Sequence, residues 1–437
     1  MILRPLVAAL AVFAASTTAA AADLLTIYRD ARVSDPVYQA ARAQYAATRE
    51  KVPQAVSGYL PLVTGTASIF RNEVEREIAA DLYYTTKTYA VTLSQPVFRV
   101  QNLIAISQAE QQVLQAEAVL ANAQQDLALR VAQAYFDVLL ARDNVALSES
   151  QKTAISEQLA QAKRNFEVGT ATIVDTLEAQ ARYDQATAKE ISDKNDLEVK
   201  TRALEVLIGK VPTGLVPLAE PLRLAPPSPN DVEAWVRAAS EVSYNIAIAQ
   251  ANYEFLRQEV NRQRAAHLPT LDLSGSVTRA TNPNSAVPGV LGPTATTLSG
   301  GLVLSIPIFS GGLIQSRVRE ALANRERAQQ DLESAMRTVA QAVRTNFVNV
   351  TSGMAQVAAL EQAQVSTQSQ LDSTILGRDV GVRTSVDVLN AQQQVYQTRR
   401  DLQQARYNYL LSTLRLKAAA GALTEDDIAL VNRTLAR

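Results

Sequence analysis

Alternation of apolar and polar residues with a period of two marks four short segments, in two pairs. In the first, around Leu62 to Phe70, residues Leu62, Thr64, Thr66, Ser68 and Phe70 share one face. In the second, Thr86 to Val97, Tyr89, Val91 and Leu93 oppose Thr88, Ala90, Thr92 and Ser94. The second pair spans Thr270 to Arg279, with Leu271, Leu273 and Val277 aligned, and Leu298 to Ile306, with Leu298, Leu302, Leu304 and Ile306. An acidic linker, Asn72 to Asp81, joins the first pair, and a Pro- and Gly-bearing loop, Asn282 to Pro293, joins the second.

Almost everything else reads as helix. Leu24, Ile27, Tyr28 and Ala31 fall on one helical face; Ser34-Asp35-Pro36 then breaks and restarts the helix, which runs to about Pro53 or Ser57. From Gln101 to Phe166 there is neither Pro nor Gly, and a helix of ~66 residues extends ~100 Å. A helix returns over Thr172 to Leu207 and closes at Gly209. Pro212, Pro217, Pro221, Pro226, Pro227 and Pro229 mark a linker. The pattern then begins again: helix over Ala234 to Ala266, the second strand pair, a second very long helix from Leu313 to Leu376, and a return from Thr384 to Ala420 closing at Gly421, with a polar tail.

The turns between the long helices echo each other. Val168-Gly169-Thr170-Ala171-Thr172-Ile173-Val174-Asp175-Thr176-Leu177 matches Val380-Gly381-Val382-Arg383-Thr384-Ser385-Val386-Asp387-Val388-Leu389 at Gly, Thr, Asp and Leu. Gly ends a helix in the left-handed conformation and Thr caps the next, so each stretch is a tight hairpin turn. Tyr59-Leu60-Pro61 returns as His267-Leu268-Pro269, and Gln95-Pro96-Val97-Phe98 as Ile306-Pro307-Ile308-Phe309. The chain therefore reads as a tandem repeat: a secretory signal over residues 1–22, a first repeat over 23–210, the linker 211–230, a second repeat over 231–421 and a tail over 422–437. The signal rests on Met1-Ile2-Leu3-Arg4, an apolar run from Leu6 to Ala15, and Ala20-Ala21-Ala22.

This is a mainly α fold with a small β part. No apolar run of roughly 18 residues follows the signal, so entry into a membrane requires β-structure. Strands of about ten residues suit a tilted crossing, yet four cannot close a barrel, and an open edge in lipid leaves backbone groups unpaired. At least two chains must share one barrel, since the smallest have about eight strands.

Charge and chemistry narrow the function. Lys plus Arg (42) nearly balance Asp plus Glu (43), which gives no electrostatic case for nucleic acid. With no Cys and a single His, His267, there is no disulfide, no thiolate metal site and little for His-based catalysis. No nucleophile–base–acid set and no phosphate loop occur, so neither enzymatic activity nor a cofactor is expected.

The stretch from Leu25-Thr26-Ile27-Tyr28 to Ser34-Asp35-Pro36, the two Val-Gly-x-x-Thr-x-x-Asp turns, Ala405-Arg406-Tyr407-Asn408-Tyr409-Leu410 and the tail Gly421 to Asp427 together resemble the TolC-type outer-membrane efflux and secretion ducts. The resemblance covers essentially the whole chain after the signal. It implies a homotrimer in the outer membrane, its strands pooled into a twelve-stranded transmembrane β-barrel and its hairpins into a periplasmic α-barrel. It implies a passive exit channel for small molecules or unfolded proteins, partnered by a periplasmic adaptor and an inner-membrane transporter or secretion ATPase. Asp387 matches the family's acidic lumen constriction, where three carboxylates favour cations; the second acid is replaced by Asn390. Asp175 and Arg383 match the gate latch, and Arg378 stands where the family often has an aromatic residue. Gly169, Thr172, Gly381 and Thr384 fall at the hairpin tips where the adaptor docks. On local grounds alone Asp175 and Asp387 also suit the first helical turn, and Arg383 a solvated surface. The alternative from another class is a periplasmic coiled-hairpin adaptor without a pore.

Overall fold

The computed structural model describes residues 22–75, 77–78, 80–222, 224–281 and 294–436; the expected signal segment up to residue 21 and the Asn282 to Pro293 loop lie outside the described residues. The elements are α1 (Leu24–Ser34), α2 (Pro36–Arg49), α3 (Lys51–Ser57), β1 (Leu62–Val74), β2 (Leu82–Phe98), α4 (Val100–Glu167), α5 (Ile173–Ile208), α6 (Val232–Val242), α7 (Tyr244–Arg264), β3 (Thr270–Thr281), β4 (Thr294–Ser305), α8 (Leu313–Asp379), α9 (Ser385–Ala419) and α10 (Glu425–Asn432). Among the described residues no helix is long and apolar enough to cross a membrane. The chain forms two units, one of Ala40–Ala123 and Ala238–Gln341, the other of Met1–Gln39, Gln124–Arg237 and Ala342–Arg437. Each holds part of α4 and part of α8.

The first of these contains one antiparallel sheet in the order β1-β2-β3-β4. Its register sorts side chains onto two unlike faces. One carries hydroxyls: Thr64 pairs with Thr92, Thr92 with Ser276 and Ser276 with Ser299. The other is apolar: Val63 pairs with Leu93, Val91 with Val277, Val277 with Leu298 and Leu273 with Leu302. Val91, Leu298 and Leu302 are nonetheless exposed, Leu298 at 81%. A large side chain of this kind contributes about 1.5–3 kcal/mol when buried, so this face is unsatisfied in water. Both edges, β1 and β4, are open.

The strands are longer than their apolar alternation suggests. β1 continues to Val74 and β2 begins at Leu82, so Glu73, expected in a solvated linker, pairs with Tyr83, whose hydroxyl donates to Glu73 Oε1 at 2.6 Å. Glu73 and Tyr83 lie on the same side as Val63 and Leu93, so the apolar band covers only part of that face and the backbone ladder continues beyond it. β4 instead ends at Ser305, one residue short of expectation, ahead of Pro307, which lacks a donor.

In the second unit, Leu24, Ile27, Tyr28 and Ala31 are the buried face of α1. Asp35 is 1% exposed and joins two helices: its N–H donates to Ala31 O at 2.8 Å, its Oδ1 accepts from Val37 N at 2.7 Å, and its Oδ2 pairs with Arg130 at 2.6 Å. The polar tail expected after Gly421 is instead a helix, α10. Thr424 and Asp427 form a capping box, and Ile428 and Val431 are buried. The Pro-bearing stretch 211–230 is pinned rather than loose. Tyr135 donates to Val216 O at 2.8 Å, Tyr409 to Ala225 O at 2.7 Å, and Arg406 pairs with Glu220 at 2.7 Å. Where one helix was expected from Ala234 to Ala266, the buried, extended Ser243 separates α6 from α7.

The long helices bury small and apolar residues in heptads: Ala141, Ser148, Ile155 and Ala162 on α4; Ala179, Ala186 and Asp193 on α5; Val343, Val350 and Val357 on α8. On α9 the buried positions Val388, Ala391, Val395, Thr398, Leu402, Ala405 and Tyr409 alternate steps of three and four. This repeat drives left-handed supercoiling, and its alanines let helices approach closely.

Candidate functional site

The two hairpin turns have the same construction. At the first, Gly169 takes φ 78°, and the N–H groups of Thr170 and Ala171 both donate to Asn165 O, at 2.8 and 3.2 Å. At the second, Gly381 takes φ 81°, and Val382 and Arg383 both donate to Gly377 O, at 2.9 and 3.1 Å. An L side chain at either glycine is strained, which is why Gly stands there. Thr172 and Thr384 then cap α5 and α9. Thr172 N donates to Asp175 Oδ2 at 2.9 Å and Asp175 N to Thr172 Oγ1 at 3.3 Å; the Thr384–Asp387 box repeats this at 2.9 and 3.1 Å.

These hydrogen bonds fix the electrostatics. The side-chain and backbone bonds from Thr172 hold Asp175 below the usual carboxylate range. Asp387 is lowered likewise, first by the Thr384 N–H, then by its hydroxyl, with Arg383 adding a smaller share. Both carboxylates are thus anionic at neutral pH.

The tips meet. A cavity of about 390 Å³ is lined by Asn165, Thr170 and Asp175 from one hairpin and by Arg378, Arg383 and Thr384 from the other. Beneath it, Ile155, Leu159, Ala162, Ala179, Ala186 and Leu389 form one buried cluster. Asp175 and Arg383 therefore share a cavity, but among the described residues no ion pair joins them; the carboxylate of Asp175 is held by Thr172. The Arg383 stem lies over Gly377, where an added Cβ would meet Arg383 Cγ at 2.8 Å. Arg378 turns to its neighbour, Asp379 Oδ1, at 2.7 Å. Asn390 accepts from Arg182 Nη2 at 3.0 Å, and Gln393 from Arg182 Nη1 at 2.8 Å.

Arg182 escaped the sequence reading. It follows Asp175 by one heptad on α5, and that spacing was the available signal. The tips also expose apolar side chains, among them Val168, Val174, Val380 and Val382.

A family model described as "Outer membrane efflux protein" matches residues 27–210 and 235–422. The chain belongs to the outer membrane efflux protein family. It is 33% identical over 433 residues to the outer membrane protein TolC of Vibrio cholerae serotype O1, covering 99% of this chain and 98% of that one. It is 32% identical to TolC of Escherichia coli K12, covering all of this chain and 89% of that one. With the alkaline protease secretion protein AprF of Pseudomonas aeruginosa it shares 30% over 93% of this chain and 86% of AprF. Two solved structures show the same fold: a membrane protein from Pseudomonas aeruginosa (TM-score 0.79, 18% identity, 92% and 94% of the two chains) and VceC of Vibrio cholerae (TM-score 0.76, 18% identity, 91% and 96%). As a member of this family the protein is an outer-membrane exit channel for efflux or type I secretion, working with pump or secretion machinery.

Proposed function

We propose that three copies pool their sheets into one twelve-stranded transmembrane barrel and their long hairpins into a periplasmic tube, forming a passive duct. One observation carries this: a four-stranded sheet with a hydroxyl face, an apolar face and two open edges. The apolar face suits lipid, the hydroxyl face a wet lumen, and the edges each other. Residues 1–22 direct export; 23–210 and 231–421 are the two structural repeats, joined by 211–230 and followed by the tail 422–437.

A periplasmic adaptor docks at the hairpin tips around Gly169, Thr172, Gly381 and Thr384, drawn by the exposed Val168 and Val382. An inner-membrane transporter or secretion ATPase supplies the energy, and the duct carries no reaction of its own. In the ring, Asp387 from three copies narrows the lumen and favours cations. Asn390, engaged by Arg182, adds no second acidic ring. Asp175, Arg383 and Arg378 form the latch.

The test is to reconstitute the purified protein from outer-membrane fractions. An SDS-resistant, heat-modifiable trimer that opens cation-selective channels in planar bilayers is expected, with selectivity reduced by Asp387→Asn. A water-soluble monomer without channel activity overturns the proposal.

A further inference from the structure

The internal repeat carries more than an architecture; it carries a register. Pro61 and Pro269 precede β1 and β3, and Pro96 and Pro307 stand at the ends of β2 and β4. Measured from these prolines, the two hairpins pair identically. Leu62, directly after Pro61, faces Ser94, two residues before Pro96; Thr270, directly after Pro269, faces Ser305, two residues before Pro307. Between the hairpins β2 pairs with β3, with Ser94 opposite Ser274, Val91 opposite Val277 and Phe98 opposite Leu271. The equivalent junction, a β4 edge against a β1 edge, is missing within one chain. The two lie on opposite sides of the sheet, roughly 14 Å apart at ~4.8 Å per strand.

We propose that β4 of one copy joins β1 of the next in the register that β2 and β3 already use, running from Thr297 opposite Val74 to Ser305 opposite Thr66. This rests on the membrane ring proposed above and fixes its seam residue by residue.

From Gly301 to Leu304 the side chains agree with the transferred register; farther along, Leu298 falls opposite Glu73, whose carboxylate accepts from Tyr83. Leu302 falls opposite Ile69 and Leu304 opposite Ala67, extending the apolar face; Val303 falls opposite Ser68 on the hydroxyl face. Phe70 is the large apolar residue midway along β1 on that hydroxyl face, and it is 60% exposed. The register sets it opposite Gly301, around which an added Cβ would find nothing within 4 Å. An aromatic ring laid over a strand glycine covers otherwise bare backbone. A slip of two residues one way puts Leu302 against Arg71; the other way, it puts Phe70 against Ser299. A slip of one exchanges the faces.

An independent observation points to the same seam. Phe98 and Phe309 occupy equivalent places in the repeat, yet Phe98 is 45% exposed and Phe309 89%. Phe98 has Leu271 of the following strand beside it. In the transferred register Phe309 acquires Val63 of the next copy.

Disulfide trapping tests this cleanly because the chain has no cysteine of its own. Two double variants, Leu302→Cys with Ile69→Cys and Val303→Cys with Ser68→Cys, place cysteines at consecutive pairs, so one pair is of the closer, non-hydrogen-bonded type. The controls join Leu302→Cys to Ala67→Cys or to Arg71→Cys, where the diagonal is too long for a disulfide. Under oxidation in outer membranes, at least one seam pair is expected to give covalent oligomers that survive boiling, at least tenfold above either control. All variants are expected to run as intact SDS-resistant oligomers before boiling when reduced. Equal or stronger trapping in a control, or no trapping in either seam pair while the oligomer persists, overturns the register. An unsubstituted protein that forms no membrane oligomer overturns the ring itself, and the register with it.

Discussion

The guanidinium of Arg182 on α5 donates to the side chain of Asn390 on α9 at 3.0 Å, bridging the two helical hairpins one turn beyond the Asp387 cap. With the second bond to Gln393 at 2.8 Å the contact is a two-pronged clamp beside the buried cluster that holds Ile155, Ala186 and Leu389. Arg182→Ala is expected to loosen the hairpin ends and raise single-channel conductance or open probability in planar bilayers. Arg182→Lys is expected to rescue it only partly, since an ammonium cannot reproduce the planar fork. Unchanged conductance in Arg182→Ala would remove the clamp from the gate.

Arg383→Ser and Asp175→Ala are each expected to raise conductance. Asp175 also caps α5, so Asp175→Asn, which keeps an acceptor for the Thr172 N–H, separates the roles. If Asp175 acts only as a cap, the Asn variant conducts like the unsubstituted protein. If its charge holds the latch, Asn opens the channel nearly as far as Ala does. Exposed ion pairs contribute about 0–1 kcal/mol each, and such small terms in several copies are within the reach of a docking partner.

The strands, the long helices and the turns were legible because each rests on local pattern: period two in Tyr89 to Leu93, the Pro- and Gly-free run before Phe166, and the paired Gly–Thr–Asp turns. The end of the chain was not. Glu425, Asp426 and Asp427 look like solvated charge, yet Asp427 caps a helix whose Ile428 and Val431 find their partners in distant segments. The heptads on α5 were hidden because their buried members are alanines and an aspartate, Asp193, paired with Lys189. In the site, Asp175 and Asp387 were visible as residues, but their neighbours depend on how the hairpins meet. Nothing local announces that Arg182 reaches Asn390.

Deeper in the helical unit, Tyr407 donates to Asp143 Oδ2 at 2.7 Å. Burial pushes the Asp143 carboxyl above the usual range, against the lowering effect of the Tyr407 hydroxyl and of Arg142. A carboxyl raised in the folded state is worth most to stability below its unfolded value and loses that contribution as pH rises through the folded value. Acidifying from neutral pH is therefore expected to recover this contribution, and Asp143→Asn to flatten that part of the pH profile. Tyr407→Phe should raise the Asp143 carboxyl further and move the midpoint to higher pH. Thermal melts across pH 4–8, a window of roughly the carboxylate range upward, measure both.

At the turns, Gly381→Ala forces an L side chain to φ 81° and is expected to destabilise the hairpin end by about 1 kcal/mol. Hydrogen exchange at Val382 and Arg383, whose N–H groups bond Gly377 O, should speed up while the sheet is unaffected.

The two-faced sheet has a genetic consequence. In the proposed ring each copy would offer β4 to one neighbour and take the next neighbour's β4 on its own β1, so a subunit damaged at either edge would still capture a healthy one through the other. Such alleles should poison assembly when expressed beside an intact gene, whereas alleles that prevent folding outright should be recessive.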